Sequence, residues 1–274
     1  MKFPGLHFCA AVVCCWKAVP PRCGPRQRAE QARELGRDHR AEKGERCAVR
    51  YENICRGRFL ARPNRFVARV EIDGAEVVCH VKNTGRCREL LVPGAVVYLE
   101  QASNPKRKTA CDLVAVEKGN LLINMDAQAP NKVFGEFAAA GGFLPGLTAL
   151  RPEHVWEDSR FDFLLEDGKG PILVEVKGVT LEREGEVLFP DAPTERGVKH
   201  LHGLRRAVEA GLRAAVVFVV QMEGPRLFRP NDQTHPAFGR ALREAAAAGV
   251  QVLAWDCRVT PDSLTIRAPV QVVL

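Results

Sequence analysis

The sequence predicts an α/β (α+β) protein with a small β-barrel over residues 51–125, followed by a mixed-sheet domain over residues 126–274. In the first part, apolar and polar residues alternate with period two between tight turns, which is typical of short strands. In the second part, apolar strands alternate with helices that Pro and Gly delimit. Residues 1–50 fit neither pattern, and their Arg-, Glu- and Gln-rich stretch predicts a disordered or non-native extension.

The barrel prediction depends on six strands and one hairpin signal. We expect Asp73-Gly74 to join the second and third strands, because both positions of such a turn favour positive φ. Six short strands in so few residues indicate a closed or nearly closed barrel, with an OB-like barrel as the best match. The strands are Arg56 to Arg62, Arg65 to Ile72, Ala75 to Val81, Ala95 to Ala102, Asp112 to Glu117, and Leu121 to Met125.

Charge favours the barrel as the part that contacts phosphates. The net charge is +7, and residues 51–125 carry 12 Lys and Arg against 8 Asp and Glu. A basic surface attracts nucleic acid, although a solvated surface explains the same charge. Two loops concentrate the cations, and we expect them to bind nucleic acid through Arg86, Arg88, Lys106, Arg107 and Lys108. The aromatic residues Phe59, Phe66 and Tyr98 fit either a stacking surface or the core, with the core favoured.

The second part is predicted to contain three helices and five strands. Their order indicates a mixed sheet covered by helices. The helices are Lys132 to Ala140, Thr194 to Ala210 and Pro236 to Ala248, and the strands are His154 to Glu157, Arg160 to Leu165, Ile172 to Val179, Ala214 to Gln221 and Val250 to Trp255.

Two carboxylates and a lysine stand out within apolar strands. Asp162 lies in one predicted strand, and Glu175 and Lys177 lie in the next, where the period of two places them on one face. Buried charges are costly unless they pair or bind a metal. We predict that Asp162 and Glu175 hold Mg²⁺, with Mn²⁺ as a possible substitute, and that Lys177 orients the attacking water or stabilises the developing charge. A structural salt bridge is the alternative.

These residues resemble the PD-(D/E)xK nuclease signature, with Phe161 in place of its proline. Residues 53–274 also resemble the sugar fermentation stimulation protein A family. The resemblance implies an OB-like barrel, a nuclease-like C-terminal domain, DNA binding and a regulatory link to sugar metabolism. The stretches that carry it include Gly57-Arg58-Phe59-Leu60, Asn83-Thr84-Gly85-Arg86, Leu91-Val92-Pro93-Gly94-Ala95, Asn104-Pro105-Lys106-Arg107-Lys108, Val174-Glu175-Val176-Lys177 and Phe189-Pro190-Asp191-Ala192-Pro193-Thr194-Glu195-Arg196-Gly197.

The resemblance also assigns weaker candidates. A Glu on the first helix often completes the metal site in such nucleases, which makes Glu136 the candidate third ligand, with an ordinary exposed helix residue as the equal alternative. On the helix after the signature, Arg196 and Lys199 are candidate phosphate contacts, although a solvated face is the favoured explanation of its polar stripe. Val198, Leu201, Leu204 and Val208 are predicted to form its apolar face. Three histidines of the second domain, His154, His200 and His235, show no metal-ligand spacing.

Cysteine usage and apolar runs indicate the compartment. No Cys-x-x-Cys pair occurs, so structural zinc is not expected, and Cys79 and Cys257 are predicted to be buried free thiols. A reducing cytoplasm fits this usage, and no apolar run reaches the length of a membrane span. Residues 1–48 have no counterpart in the resembled family, and we expect the native chain to start at Val49.

The favoured function is a DNA-binding protein with a Mg²⁺-dependent nuclease site. The alternative is a non-catalytic DNA-binding regulator of sugar-metabolism genes on a nuclease scaffold. A sugar- or nucleotide-binding enzyme is less favoured, because no glycine-rich phosphate loop occurs. The sequence leaves open RNA against DNA, sequence specificity, oligomeric state and whether the chain is an enzyme.

Overall fold

A computed structural model describes residues 49–83, 85–104 and 106–274. The predictions for residues 1–48 lie outside this range. Within it, no helix is long and apolar enough to cross a membrane. The first part contains the strands β1 (Val49–Arg50), β2 (Ile54–Asn64), β3 (Val67–Ile72), β4 (Ala75–Val81), β5 (Val96–Gln101), β6 (Cys111–Lys118) and β7 (Leu121–Asn124).

Strands β2 to β6 close into a barrel. They are hydrogen-bonded in the order β4-β3-β2-β5-β6, and a parallel pairing of β4 with β6 closes the ring, while β7 extends from β6. This is the connectivity of an OB-type barrel, so that prediction is confirmed. The predicted hairpin is also present, with φ of 51° at Asp73 and 79° at Gly74.

The second part is a seven-stranded mixed sheet with helices on both faces. Its elements are α1 (Ala129–Ala139), β8 (Ala149–Trp156), β9 (Ser159–Asp167), β10 (Gly170–Val179), α2 (Glu195–Glu209), β13 (Arg213–Val220), α3 (Pro236–Ala247), β15 (Gln251–Thr260) and β16 (Ser263–Pro269). The strand order is β1-β16-β15-β13-β10-β9-β8, with β10, β13 and β15 parallel to one another.

A second small sheet was not predicted from the sequence. It contains β11 (Leu181–Arg183), β12 (Glu186–Phe189), β14 (Leu227–Pro230) and β17 (Gln271–Val272), in that order. Strands of two to four residues are too short to show an alternating pattern. The edge strand β1 and the strand β16 were missed as well.

The two faces of β10 have different partners. Val174 and Val176 face α1 and share a core with Val133 and Phe134. Glu175 points to the opposite face, where α2 packs, because side chains alternate along a strand. Tyr51 and Val114 belong to the same core as α1. Because Val114 lies in the barrel strand β6, the barrel packs directly on the second part.

Helix α2 lies close to strand β9 at a glycine. A Cβ at Gly203 would lie 2.9 Å from Cζ of Phe161, which is fully buried. Glycine is normally unfavourable inside a helix, so packing explains its presence here.

We therefore predict that Gly203→Ala lowers the free energy of unfolding by about 1–3 kcal/mol, as overpacked cores do. Urea unfolding provides the measurement, and Gly168→Ala is the control because a Cβ at Gly168 meets nothing within 4 Å. A Gly203→Ala protein as stable as wild type would show that α2 is not held against β9 by this contact.

Candidate metal and nucleic-acid site

Asp162 lies where two neighbouring strands separate. Strands β9 and β10 pair from Gly170↔Asp167 to Val174↔Phe163, and no pair follows in their register. Beyond that point the Val176 backbone N–H donates to Oδ2 of Asp162 at 2.8 Å instead of to a strand carbonyl. Asn131 on α1 donates to Oδ1 at 2.8 Å. The carboxylate therefore occupies the opening between the strands in a fixed orientation.

Glu175 has two oxygens in different environments. The residue is 2% exposed. Its Oε1 accepts hydrogen bonds from Lys177 Nζ and His200 Nδ1. Its Oε2 is buried and has no hydrogen-bond partner. An unpartnered buried carboxylate oxygen is costly, and a cation or water at this position would remove the cost.

The two carboxyl groups influence each other. Burial and the nearby charge of Glu175 raise the pKa of Asp162, and its two hydrogen bonds offset only part of this shift. Burial alone would raise the pKa of Glu175, but the hydrogen bonds from His200 and Lys177 and the charge of Lys177 hold it below its ordinary value. Without a metal, the site therefore favours the ionised form of Glu175 and disfavours the ionised form of Asp162.

His200 belongs to the site, although the sequence analysis did not select it. It is 5% exposed on α2, and its ring lies 5.7 Å from that of Phe161. The apolar face of α2 is correspondingly rotated from the predicted one. Leu201 and Leu204 are buried as expected, but the rest of the buried face consists of Gly197, His200, Gly203 and Ala207, with Val198 and Val208 at its margin.

Two oxygens of this site could hold a divalent cation. Each carboxylate oxygen offers more than one lone pair, so Asp162 retains acceptor capacity beside Asn131 and Val176. Glu175 contributes Oε2, a carboxylate oxygen that has no hydrogen-bond partner. Glu136 is exposed on α1, and the residue of α1 that contacts Asp162 is Asn131. In the part of the chain that the structure describes, no cluster of three or more Asp, Glu, His or Cys residues suited to a metal occurs.

The predicted basic loops are on the barrel surface, but not all of their cations are unengaged. Arg86, Arg88, Lys106 and Lys108 are exposed. Arg107 is exposed too, yet its guanidinium pairs with both oxygens of Asp112 at 2.5 and 3.0 Å. Its charge is thus partly neutralised within the barrel.

Arg62, which the sequence analysis did not single out, shapes the first loop. Its guanidinium donates to the carbonyl oxygens of Asn83, Gly85, Arg86 and Arg65 at 2.7–2.9 Å. Three of these bonds, to Asn83, Gly85 and Arg86, fix the backbone of the loop that carries Arg86.

The two predicted cations of α2 have different surroundings. Lys199 donates to the carbonyl of Asp158 at 2.8 Å and pairs with its carboxylate at 3.2 Å. Arg196 is exposed, and its Nε donates to Nε2 of His200 at 3.4 Å. Only Arg196 is linked to the carboxylate pair, through His200.

The three aromatic candidates of the barrel differ in their exposure to solvent. Phe59 is 2% exposed and belongs to the core. Tyr98 is partly buried, and its hydroxyl donates to Glu117 at 2.7 Å. Phe66 is 45% exposed, with the Arg65 guanidinium 5.0 Å from its ring centroid. Phe66 is the one of the three with a face open for stacking.

The fold and site define a two-domain α/β protein with an OB-type barrel followed by a mixed-sheet domain that carries an acidic pair. Comparison with protein families identifies both parts. The family model described as "SfsA N-terminal OB domain" matches residues 60–125, and the one described as "Sugar fermentation stimulation protein RE domain" matches residues 128–263. The chain belongs to the sugar fermentation stimulation protein (SfsA) family.

Individual relatives agree with this assignment. A sugar fermentation stimulation protein homolog of Desulfitobacterium hafniense is 59% identical over 216 residues, covering 79% of this chain and 94% of the relative. A homolog of Clostridium beijerinckii is 52% identical over 226 residues, covering 82% of this chain and all of the relative. The structure of Pyrococcus furiosus SfsA in complex with Ca²⁺ is similar with a TM-score of 0.76 and 27% identity, covering 84% of this chain and 100% of that one.

The raised pKa of Asp162 predicts a stability effect. In the metal-free protein, Asp162→Asn should raise the free energy of unfolding at pH 7, because the neutral amide removes a charge that burial and the neighbouring Glu175 disfavour. A neutral amide keeps both hydrogen bonds if the Asn131 amide flips. Because the folded-state pKa is raised, the penalty of ionised Asp162 is present at neutral pH and disappears as the pH falls below its ordinary range.

Chemical denaturation with EDTA at pH 7 and pH 3.5 measures this difference. Asp167→Asn is the matched control with the opposite sign, since Arg213 lowers the pKa of Asp167. A loss of stability in Asp162→Asn at pH 7 would contradict the electrostatic reading of the pair.

Proposed function

We propose that this chain is a DNA-binding protein that cleaves phosphodiester bonds with a divalent cation, Mg²⁺ or Mn²⁺, held by Asp162 and Glu175. The observation that carries the proposal is the buried, unpartnered Oε2 of Glu175 beside a second carboxylate. The Ca²⁺ complex of the Pyrococcus furiosus relative supports a cation site in this family. Both Ca²⁺ and Mg²⁺ prefer carboxylate oxygens as ligands.

The protein residues have separate roles in this proposal. Asp162 and Glu175 supply the negative charge that holds the cation, and Asn131 and the Val176 backbone fix the direction of Asp162. When bound, the cation supplies Lewis-acid polarisation of the scissile phosphate. Lys177 Nζ, which donates to Glu175 Oε1, would orient the attacking water or stabilise the charge that develops on phosphate oxygens.

The barrel supplies the nucleic-acid surface. Arg86, Arg88, Lys106 and Lys108 are exposed cations on two barrel loops, and exposed Phe66 offers a stacking face beside Arg65. Cations neutralise phosphates and an aromatic ring stacks on bases, which is how single strands are bound without sequence readout. Four cysteines of the described ranges, Cys79, Cys87, Cys111 and Cys257, are buried free thiols, which supports a reducing cytoplasm for this activity.

One observation favours the non-catalytic regulator as a second candidate. Both oxygens of Asp162 already have hydrogen-bond donors without a metal. A scaffold that had lost cleavage could retain such a carboxylate to join α1 to the sheet. The two candidates differ in cation binding and in turnover, and they share DNA binding.

Cleavage should depend on the acidic pair and on Lys177 in different ways. Asp162→Asn should abolish both Mn²⁺ binding and cleavage, because an uncharged amide oxygen is a poorer ligand. Lys177→Ala should bind Mn²⁺ but turn over about 10²-fold more slowly, since Lys177 acts on the transition state. Isothermal titration with Mn²⁺ and cleavage of labelled single- and double-stranded DNA and RNA, with EDTA as blank, give the two readouts.

A thermal shift separates the two candidate functions. Mg²⁺ at about 100 times its Kd should stabilise the wild type by about 2.7 kcal/mol and leave Asp162→Asn unchanged. Lys169→Ala is the control for Lys177→Ala in both assays, because Lys169 is exposed in the β9–β10 turn. DNA binding without any cation-induced stabilisation or cleavage would replace the nuclease proposal by the regulator.

Charge reversal on the barrel should weaken DNA binding in a salt-dependent manner. Lys106→Glu with Lys108→Glu should lower affinity and reduce the slope of log K against log salt by about 2, because fewer counterions are released. Arg107 is left intact, since it pairs with Asp112 within the fold. The control is Lys169→Glu with Arg240→Glu, an equal charge change at exposed positions of the second part. Fluorescence anisotropy at several salt concentrations measures the DNA affinity of both double variants. Equal slopes for the two would show that DNA binds elsewhere than at the Lys106 and Lys108 loop.

A further inference from the structure

We propose that His200 is a positioning residue that holds the metal-binding carboxylate and a phosphate-contacting arginine in fixed relation to each other. The inference rests on the proposed function and extends it to two residues, His200 and Arg196. The chain of contacts runs from Glu175 through the imidazole to the guanidinium.

The hydrogen bonds fix the tautomer of the ring. Ionised Glu175 can only accept, so His200 Nδ1 carries the proton of that bond. Arg196 Nε can only donate, so His200 Nε2 accepts. A neutral Nδ1–H imidazole satisfies both contacts, whereas a doubly protonated ring would oppose two donors at Nε2. The ring therefore uses both nitrogens within the site.

Each contact has a distinct consequence. The bond to Glu175 occupies Oε1 and leaves Oε2 as the oxygen available to a cation. The bond from Arg196 uses Nε and leaves its terminal Nη groups available on an exposed side chain. Planar guanidinium groups bind phosphates with two parallel donors. His200 thus fixes where the cation and a substrate phosphate would be bound relative to each other.

The packing around His200 holds it in place. It lies on the buried face of α2, 5% exposed, with the Phe161 ring beside it. Glycines at positions 197 and 203 on the same face bring the helix close to its neighbours, with a Cβ at Gly203 lying 2.9 Å from Phe161. An imidazole held so closely in the core, with both nitrogens bonded, has little freedom to turn.

Two conservative substitutions separate the two bonds. His200→Asn places an amide N–H near the position of Nδ1, so it keeps the donor to Glu175 but does not reach Arg196. His200→Gln places its amide near Nε2, so it can accept from Arg196 but offers no donor at Nδ1. His200→Phe fills the space without either bond, and His202→Phe, on a half-exposed site of the same helix, is the matched control.

The test measures Mn²⁺ affinity by titration calorimetry and KM for a fluorescent DNA substrate in the full chain. His200→Asn should keep the Mn²⁺ affinity and raise KM about tenfold, as should Arg196→Met. His200→Gln should lose about 10–100-fold in Mn²⁺ affinity, the usual cost of removing an outer-shell partner, and keep its KM at saturating Mn²⁺. His200→Phe should show both losses, and His202→Phe neither.

The outcomes distinguish the two proposals. If wild type binds Mn²⁺ and cleaves DNA, but the Asn and Gln variants lose both properties equally or neither, the positioning role is overturned and the cleavage function stands. If wild type binds no Mn²⁺ and cleaves nothing, the proposed function fails and the role of His200 falls with it. Circular dichroism and melting curves of each variant exclude a general loss of folding as the cause.

Discussion

The site depends on the buried carboxylate of Glu175, whose two oxygens differ in their hydrogen-bond partners. Lys177 and His200 donate to Oε1, while Oε2 has no partner. A buried anion persists only when donors or a cation compensate its lost hydration. The donors come from a neighbouring position on β10 and from α2, so the sheet and its covering helix are both needed to hold the group ionised.

The local separation of β9 and β10 makes room for the second carboxylate. Their pairing ends at Val174↔Phe163, and Asp162 takes over the Val176 N–H. Asn131 at the start of α1 holds the other oxygen, so three elements meet at one side chain. A strand opening that is closed by an acidic side chain satisfies the backbone and directs negative charge into the site. This arrangement explains why burial and Glu175 together raise the pKa of Asp162.

The sequence predicts those features that repeat locally. Alternation, the Asp73-Gly74 turn and the helix-delimiting Pro and Gly residues predict the OB-type barrel and the main sheet, and the spacing of Asp162, Glu175 and Lys177 predicts that they converge. The short strands β11, β12, β14 and β17 of the small sheet show no periodic pattern, because long-range pairing rather than local alternation defines them. His200 and Asn131 were missed because a single polar residue on a helix carries no spacing signal. Glycines 197 and 203, unfavourable inside a helix, were the available sign that α2 packs closely there. Arg107 and Lys199 were predicted to contact phosphates. In the fold, however, Arg107 pairs with Asp112 and Lys199 pairs with Asp158, and the sequence pattern did not indicate either ion pair.

The central claim is that Glu175 Oε2 and Asp162 share one divalent cation. Crystals of the full chain grown with Mn²⁺ and measured at a wavelength where manganese scatters anomalously test it directly. The account predicts one anomalous peak between these two carboxylates, about 2.1 Å from an oxygen of each, with His200 and Lys177 still bonded to Oε1. A map with no peak at this position, in which the Asn131 and Val176 contacts to Asp162 persist and Oε2 binds a water or stays unpartnered, would contradict it.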